Sequence, residues 1–136
     1  MTCRTCRHDR VCRLAIDGCP SHDPLRLYII GAFTSPTRLG EQLNVAAAIK
    51  TWDALTDAGY HAFCPQAASG PLEAWTKRDP AFWYRWTMRE MRRSDACVLV
   101  PDDGCHTPLA ESDGSRDEIA EAGRLGMRVY ALEELV

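Results

Sequence analysis

The segment Ser112-Asp113-Gly114-Ser115-Arg116-Asp117-Glu118 carries the clearest chemical potential in the chain, because it follows the strongly apolar run Ala96-Cys97-Val98-Leu99-Val100. A Ser-x-Gly turn after a strand can offer backbone N–H groups to a phosphate, and the helix it opens carries a carboxylate, Glu118, in its first turn. One short segment can thus hold an anionic ligand through Ser112, Gly114 and Ser115 and aim a nucleophile, Glu118, at it. The same residues have a structural reading. Ser115-Arg116-Asp117-Glu118 is a capping box, with Ser115 as N-cap and Glu118 reaching back to the backbone. The two roles compete, since a capping carboxylate points at backbone N–H groups and away from a substrate.

A second constellation opens the chain. Cys3-x2-Cys6-x5-Cys12-x6-Cys19 gathers four of the seven cysteines into the first 19 residues, with His8 and His22 as spare ligands. Clustered thiols in a reducing compartment are metal ligands more often than disulfides. Four thiolates can close a tetrahedral site with no open position, so the expected metal is a structural zinc. An iron–sulfur cluster suits four thiolates as well, and a loose reduced tail is the third reading. No organic cofactor is expected. Cys97, inside the apolar run, reads as a small buried hydrophobe.

The elements that must position these groups follow from the apolar pattern. Leu27-Tyr28-Ile29-Ile30 reads as a buried parallel strand ending at Gly31, with residues 31–36 as a loop. Glu41 to Ala58 reads as a helix stopped by Gly59, and Tyr60 to Cys64 as a second strand ended by Pro65. Residues 66–79, with Gly70, Pro71 and Trp75, show no clear period and read as a long functional loop. Pro80 opens a helix to about Arg93. Ala96 to Val100 is the third strand and Asp102 to Asp113 a polar loop. Ser115 to Leu125 is a helix ended by Gly126, and Met127 to Leu132 is the fourth strand. Strands alternating with helices imply right-handed parallel βαβ units, with ligands beyond the carboxyl ends of the strands. The expected architecture is an α/β domain over residues 25–136. It has a flavodoxin-like, Rossmann-like parallel sheet of four to five strands with helices on both faces. A metal-binding extension, residues 1–24, precedes it.

Composition fits a globular chain: 136 residues, 46% hydrophobic and 26% charged. Such a length buries a real core as one domain. No apolar run approaches the roughly 20 residues that span a bilayer, and no secretory h-region is read at the N-terminus. A cytoplasmic protein without membrane partners is expected. The net charge of −3 argues against a general nucleic-acid binder, although the cysteine-rich head is locally basic.

The patterns Tyr28-Ile-Ile-Gly31, Asn44 in the first helix, and Gly59-Tyr-x-x-Phe-x-Pro65 resemble the nucleoside 2-deoxyribosyltransferase superfamily. Ser94-Asp95-Ala-Cys-Val-Leu-Val-Pro101 and Ser112-x-Gly114-x-x-x-Glu118-x-x-x-Ala122 continue the match over roughly residues 26–132. It is most similar to the phage and bacterial deoxyribosyltransferase-like branch, related to the 2'-deoxynucleoside 5'-phosphate N-hydrolases. The resemblance implies a flavodoxin-like fold and chemistry at the N-glycosidic bond of a nucleotide or nucleoside. The residue matching Glu118 attacks C1' of the sugar and expels the base, and water or a second base resolves the covalent sugar–enzyme. Tyr28 lies near the nucleophile, Asp95 orients at the strand edge in the catalytic set, and Ser112 and Gly114 bind a 5'-phosphate. Gly31, Ala32, Phe33, Asn44 and Ser115 complete the implied binding site, and a homodimer is implied. One position departs from the pattern: the family's acid, eight residues before Asp95, is Thr87 here. A nucleotide sensor or interaction module without turnover is therefore the alternative function. Trp75, Trp83, Tyr84 and Trp86 are candidate base-stacking rings. Arg85, Arg89, Arg92 and Arg93 read as a solvated helix face.

Overall fold

The computed structural model describes residues 24–136, so Cys3, Cys6, Cys12 and Cys19 and the expected metal site lie outside the described residues. Four parallel strands form one sheet in the order β2-β1-β3-β4: β1 (Arg26–Ile30), β2 (His61–Phe63), β3 (Ala96–Leu99) and β4 (Val129–Ala131). Four helices connect and flank them: α1 (Arg38–Asp57), α2 (Pro65–Trp75), α3 (Pro80–Arg92) and α4 (Asp113–Arg124). Because crossovers between parallel strands are right-handed, winding outward from β1 in both directions sends the helices to opposite faces. The packing follows that rule. Leu27, Ile29 and Val98 bury against Ala47, Ala48 and Leu55 of α1. Tyr28, Ile30 and Cys97 bury against Met88 and Met91 of α3 and Ala122 of α4. Each fully buried aliphatic chain in these layers contributes about 1.5–3 kcal/mol. Among the described residues no helix is long and apolar enough to cross a membrane.

Three boundaries differ from expectation, each for a local reason. The first helix begins at Arg38, not Glu41, because the Thr37 hydroxyl accepts from the Gly40 N–H at 3.0 Å and caps it there. The segment after β2 is mostly helix and not a long loop. Pro65 sits at its first position, and the Ser69 hydroxyl donates to the Pro65 carbonyl at 2.7 Å. Packing along α1 carries this helix across Gly70-Pro71. The last helix is capped by Ser112, whose Oγ accepts from the Ser115 N–H at 3.2 Å, so the expected capping box from Ser115 to Glu118 does not form.

The winding reverses between β1 and β3. Their carboxyl ends, Ile30-Gly31 and Leu99-Val100, therefore open the crevice where ligands collect in such sheets.

Candidate active site

Ser112 decides the fate of Glu118. With the cap supplied three residues before Ser115, the α4 stripe Ser115, Glu118 and Ala122 turns toward the sheet. Ser115 is buried, and Glu118 lines a cleft of about 700 Å³ at the crevice between β1 and β3. Glu118 as a whole is partly open to the cleft, but its Oε2 is shut off from solvent. Burial pushes the carboxyl up to about 8, the neighbouring Asp117 charge adds to the rise, and the Tyr28 hydroxyl opposes it.

Tyr28 reaches the same spot from the sheet. Its position on β1 points the ring to the α3–α4 face, where it stacks on Phe63 with centroids 6.1 Å apart. Burial first, and then the Glu118 charge, hold its phenol well above the usual range. Tyr28 Oη, Ser115 Oγ and Glu118 Oε2 are buried without a hydrogen-bond partner among the described residues. Unsatisfied buried polar atoms cost about 1–3 kcal/mol each, and sites that bind a polar ligand tolerate that cost.

The floor and rims are built from the strand exits. Gly31 follows β1 where a Cβ would stand 2.6 Å from Val100 Cγ2 and 3.2 Å from Gln66 Nε2, so any side chain there forces Val100 to shift. Gln66 is buried at the start of α2, and its Nε2 donates to the Gly31 carbonyl at 2.6 Å. Asn44 ties both rims from inside α1: its Nδ2 donates to Phe33 O and Thr107 Oγ1, and its Oδ1 accepts from the Thr107 N–H at 2.9 Å. The residues of α2 and α3 close the far wall. Glu73 Oε2 accepts from Trp83 Nε1 at 2.6 Å and from the Arg78 N–H at 3.1 Å. The Trp83 bond above all holds Glu73 below the usual carboxylate range. The Arg78 guanidinium donates to Leu72 O and Thr76 O and lies over the Phe82 and Trp83 rings.

Of the expected site residues, Glu118, Gly31, Phe33 and Gly114 line the cleft, and Tyr28 and Ser115 lie buried beside Glu118. Ala32 is buried and does not line it, and Asn44 is a positioning residue behind the rims. Ser112 spends its hydroxyl on the helix cap and does not line the cleft. Asp95 is corrected outright. It precedes β3 at the amino end of the sheet, where its Oδ2 accepts from the Arg26 N–H at 2.9 Å, and a strand's length separates it from the cleft. Among the candidate rings, Trp83 and Tyr84 line the cleft and Trp86 packs between Phe63 and Trp83, whereas Trp75 is 89% exposed. Thr87, at the register of the family's acid, does line the cleft, and its hydroxyl donates to the Trp83 and Tyr84 carbonyls.

Sequence reasoning missed Gln66, Glu41, Glu73, Lys77 and Arg78, all of which line the cleft. The available signal was positional: Pro65 ends a parallel strand, and the residues just past such an end face the crevice. Among the described residues, no group of three or more His, Cys, Asp or Glu side chains could hold a metal ion. No family model matches the chain, and no curated protein matches it.

Proposed function

We propose that the protein acts on the N-glycosidic bond of a nucleotide or nucleoside, by hydrolysis or by 2-deoxyribosyl transfer, with Glu118 as the nucleophile. The observation that carries this reading is a carboxylate shielded at Oε2, near a buried tyrosine, on the wall of a nucleotide-sized cleft at the crevice of a parallel sheet. The strand order β2-β1-β3-β4 supports a flavodoxin-like arrangement, and the sequence resemblance supports the superfamily.

The chemistry follows from the wall. A base lies against Trp83 and Tyr84, and the sugar C1' meets Glu118. The ionised carboxylate forms a bond to C1' as the C1'–N bond breaks and the electron pair leaves with the base. Water or a second base then displaces Glu118 from C1'. The Tyr28 hydroxyl, facing Glu118, favours the ionised form that attacks. Gly114 brings the first turn of α4 to the cleft, where its backbone suits a 5'-phosphate.

The test is incubation of the purified chain with ribo- and deoxyribonucleoside monophosphates and free nucleosides, with chromatography for released base. Release abolished by Glu118→Gln, with nucleotide binding kept, is the expected result. Turnover retained in that variant overturns the reading.

A second reading is favoured by Thr87, whose hydroxyl hydrogen is committed to backbone carbonyls, and by Glu73, held ionised by two N–H donors. Neither supplies a proton to a leaving base. On that reading the cleft binds a nucleotide as a sensor, and the same assay gives saturable binding without release. For the cysteine-rich head we propose a structural zinc on Cys3, Cys6, Cys12 and Cys19, checked by metal content of the wild type against Cys→Ser variants.

A further inference from the structure

The cleft over Glu118 does not end at Phe33. Phe33, Glu41, Glu73 and Lys77 line it and also line a second hollow of about 780 Å³. Arg38 and Gln42 of α1, with Ser35 and Thr37 just before that helix, continue the second hollow away from the sheet. Ligand pockets run from about 300 to 1,000 Å³, so each hollow is large enough for a nucleotide-sized group.

The chemistry of the two hollows differs. The first is walled by Trp83 and Tyr84 and floored by Glu118. The second has no tryptophan or tyrosine and carries the exposed cation Arg38, which forms no ion pair among the described residues. Lys77 stands at the divide. The neighbouring Glu73 takes both of its N–H bonds on Oε2, so its Oε1 and the Glu41 carboxylate are the acceptors that face sugar hydroxyls there. Lys77 at the divide and the arginine fork of Arg38 beyond it suit a ligand whose anionic link passes from one hollow to the other.

We propose that the protein takes a two-part ligand: a nucleotide in the hollow over Glu118, joined through its phosphates to a second polar group that lies against Arg38 beyond Phe33. This rests on the reading of the first hollow as a nucleotide site. Arg38 is a specificity residue for the second part and makes no contribution to the first.

The experiment is calorimetric binding to the full chain of three matched pairs: UDP-glucose with UMP, dTDP-glucose with dTMP, and NAD+ with AMP. At least one two-part ligand binds ten-fold or more tightly than its own mononucleotide. Arg38→Ala erases that gain and leaves the mononucleotide affinity unchanged, and Arg38→Lys restores part of it. The inference is overturned if no two-part ligand outbinds its mononucleotide, if none binds, or if the gain survives Arg38→Ala. Base release in the same samples separates the two proposals. Arg38-dependent binding without any release keeps this inference and sinks the glycosidic reaction. Release from a mononucleotide with Arg38 silent does the reverse.

Discussion

Replacing Glu118 by Gln removes a charge that the fold resists, so the variant is expected to gain stability as it loses turnover. The carboxyl titrates near 4.5 when exposed and near 8 in the folded chain. A raised carboxyl contributes its full stability below the unfolded value, and that contribution falls away as pH rises toward the folded one. Each pH unit between the two costs about 1.4 kcal/mol, because the unfolded chain ionises while the folded chain stays protonated. At pH 7 the accumulated cost reaches about 3 kcal/mol, an upper figure because the residue is partly open to the cleft. Glutamine is neutral at every pH and escapes it. Glu118→Gln should therefore melt up to about 10 °C above the wild type at pH 7 to 8, and close to it at pH 4.5. The amide also changes the contact with Tyr28, but that offset does not vary with pH. Glu121 and Glu73, both held low, lose their contributions as pH falls, yet they do so equally in both proteins and cancel. The assay is thermal denaturation of the pair at half-unit steps from pH 4.5 to 8.5. A difference that stays flat across that range, or one that shrinks as pH rises, refutes the claim that burial holds Glu118 neutral.

Three further outcomes follow from the same geometry. If ionised Glu118 is the nucleophile, base release rises with pH through about 8, and Tyr28→Phe moves that limb to higher pH because the phenol no longer favours the carboxylate; a rate that falls through this range makes Glu118 a proton donor instead. Asn44→Ala strands Phe33 O and the Thr107 N–H, and should cost about 2 kcal/mol in urea unfolding; an unchanged midpoint removes Asn44 from its positioning role. Gly31→Ala drives a Cβ against Val100 and should cost about 1–3 kcal/mol, part of it recovered when Val100→Ala is added. Strict additivity of those two substitutions would show that the close approach is absent.

The alternation of apolar runs with helical stretches was enough to find all four strands and three of the four helices, because both faces of the sheet are covered and each strand is short and mostly apolar. α2 escaped notice because Gly70-Pro71 reads as punctuation, whereas its packing on α1 outweighs the one lost backbone hydrogen bond. The identity of the last helix cap was hidden for a different reason. Ser112 and Ser115 are both good caps, and only the fold decides between them, a choice that sets whether Glu118 faces a backbone or a cleft. Asp95 could have been placed from sequence, since a residue before a parallel strand lies at the amino end and ligands lie at the other. Lys77 and Arg78 could not, because they sit in an aperiodic link whose direction depends on the Glu73 contacts across it.

A single carboxamide, that of Asn44, fastens the stretch after β1 to the stretch after β3. Those two lips therefore travel as one piece, and prising them apart would break either the bond to Phe33 or the pair of bonds to Thr107. The opposite side is held separately: in the link of residues 76–79 between α2 and α3, Arg78 donates its N–H to Glu73 and its guanidinium to Leu72 O and Thr76 O. The two sides of the cleft are thus fastened by separate sets of hydrogen bonds, one through Asn44 and one through Arg78.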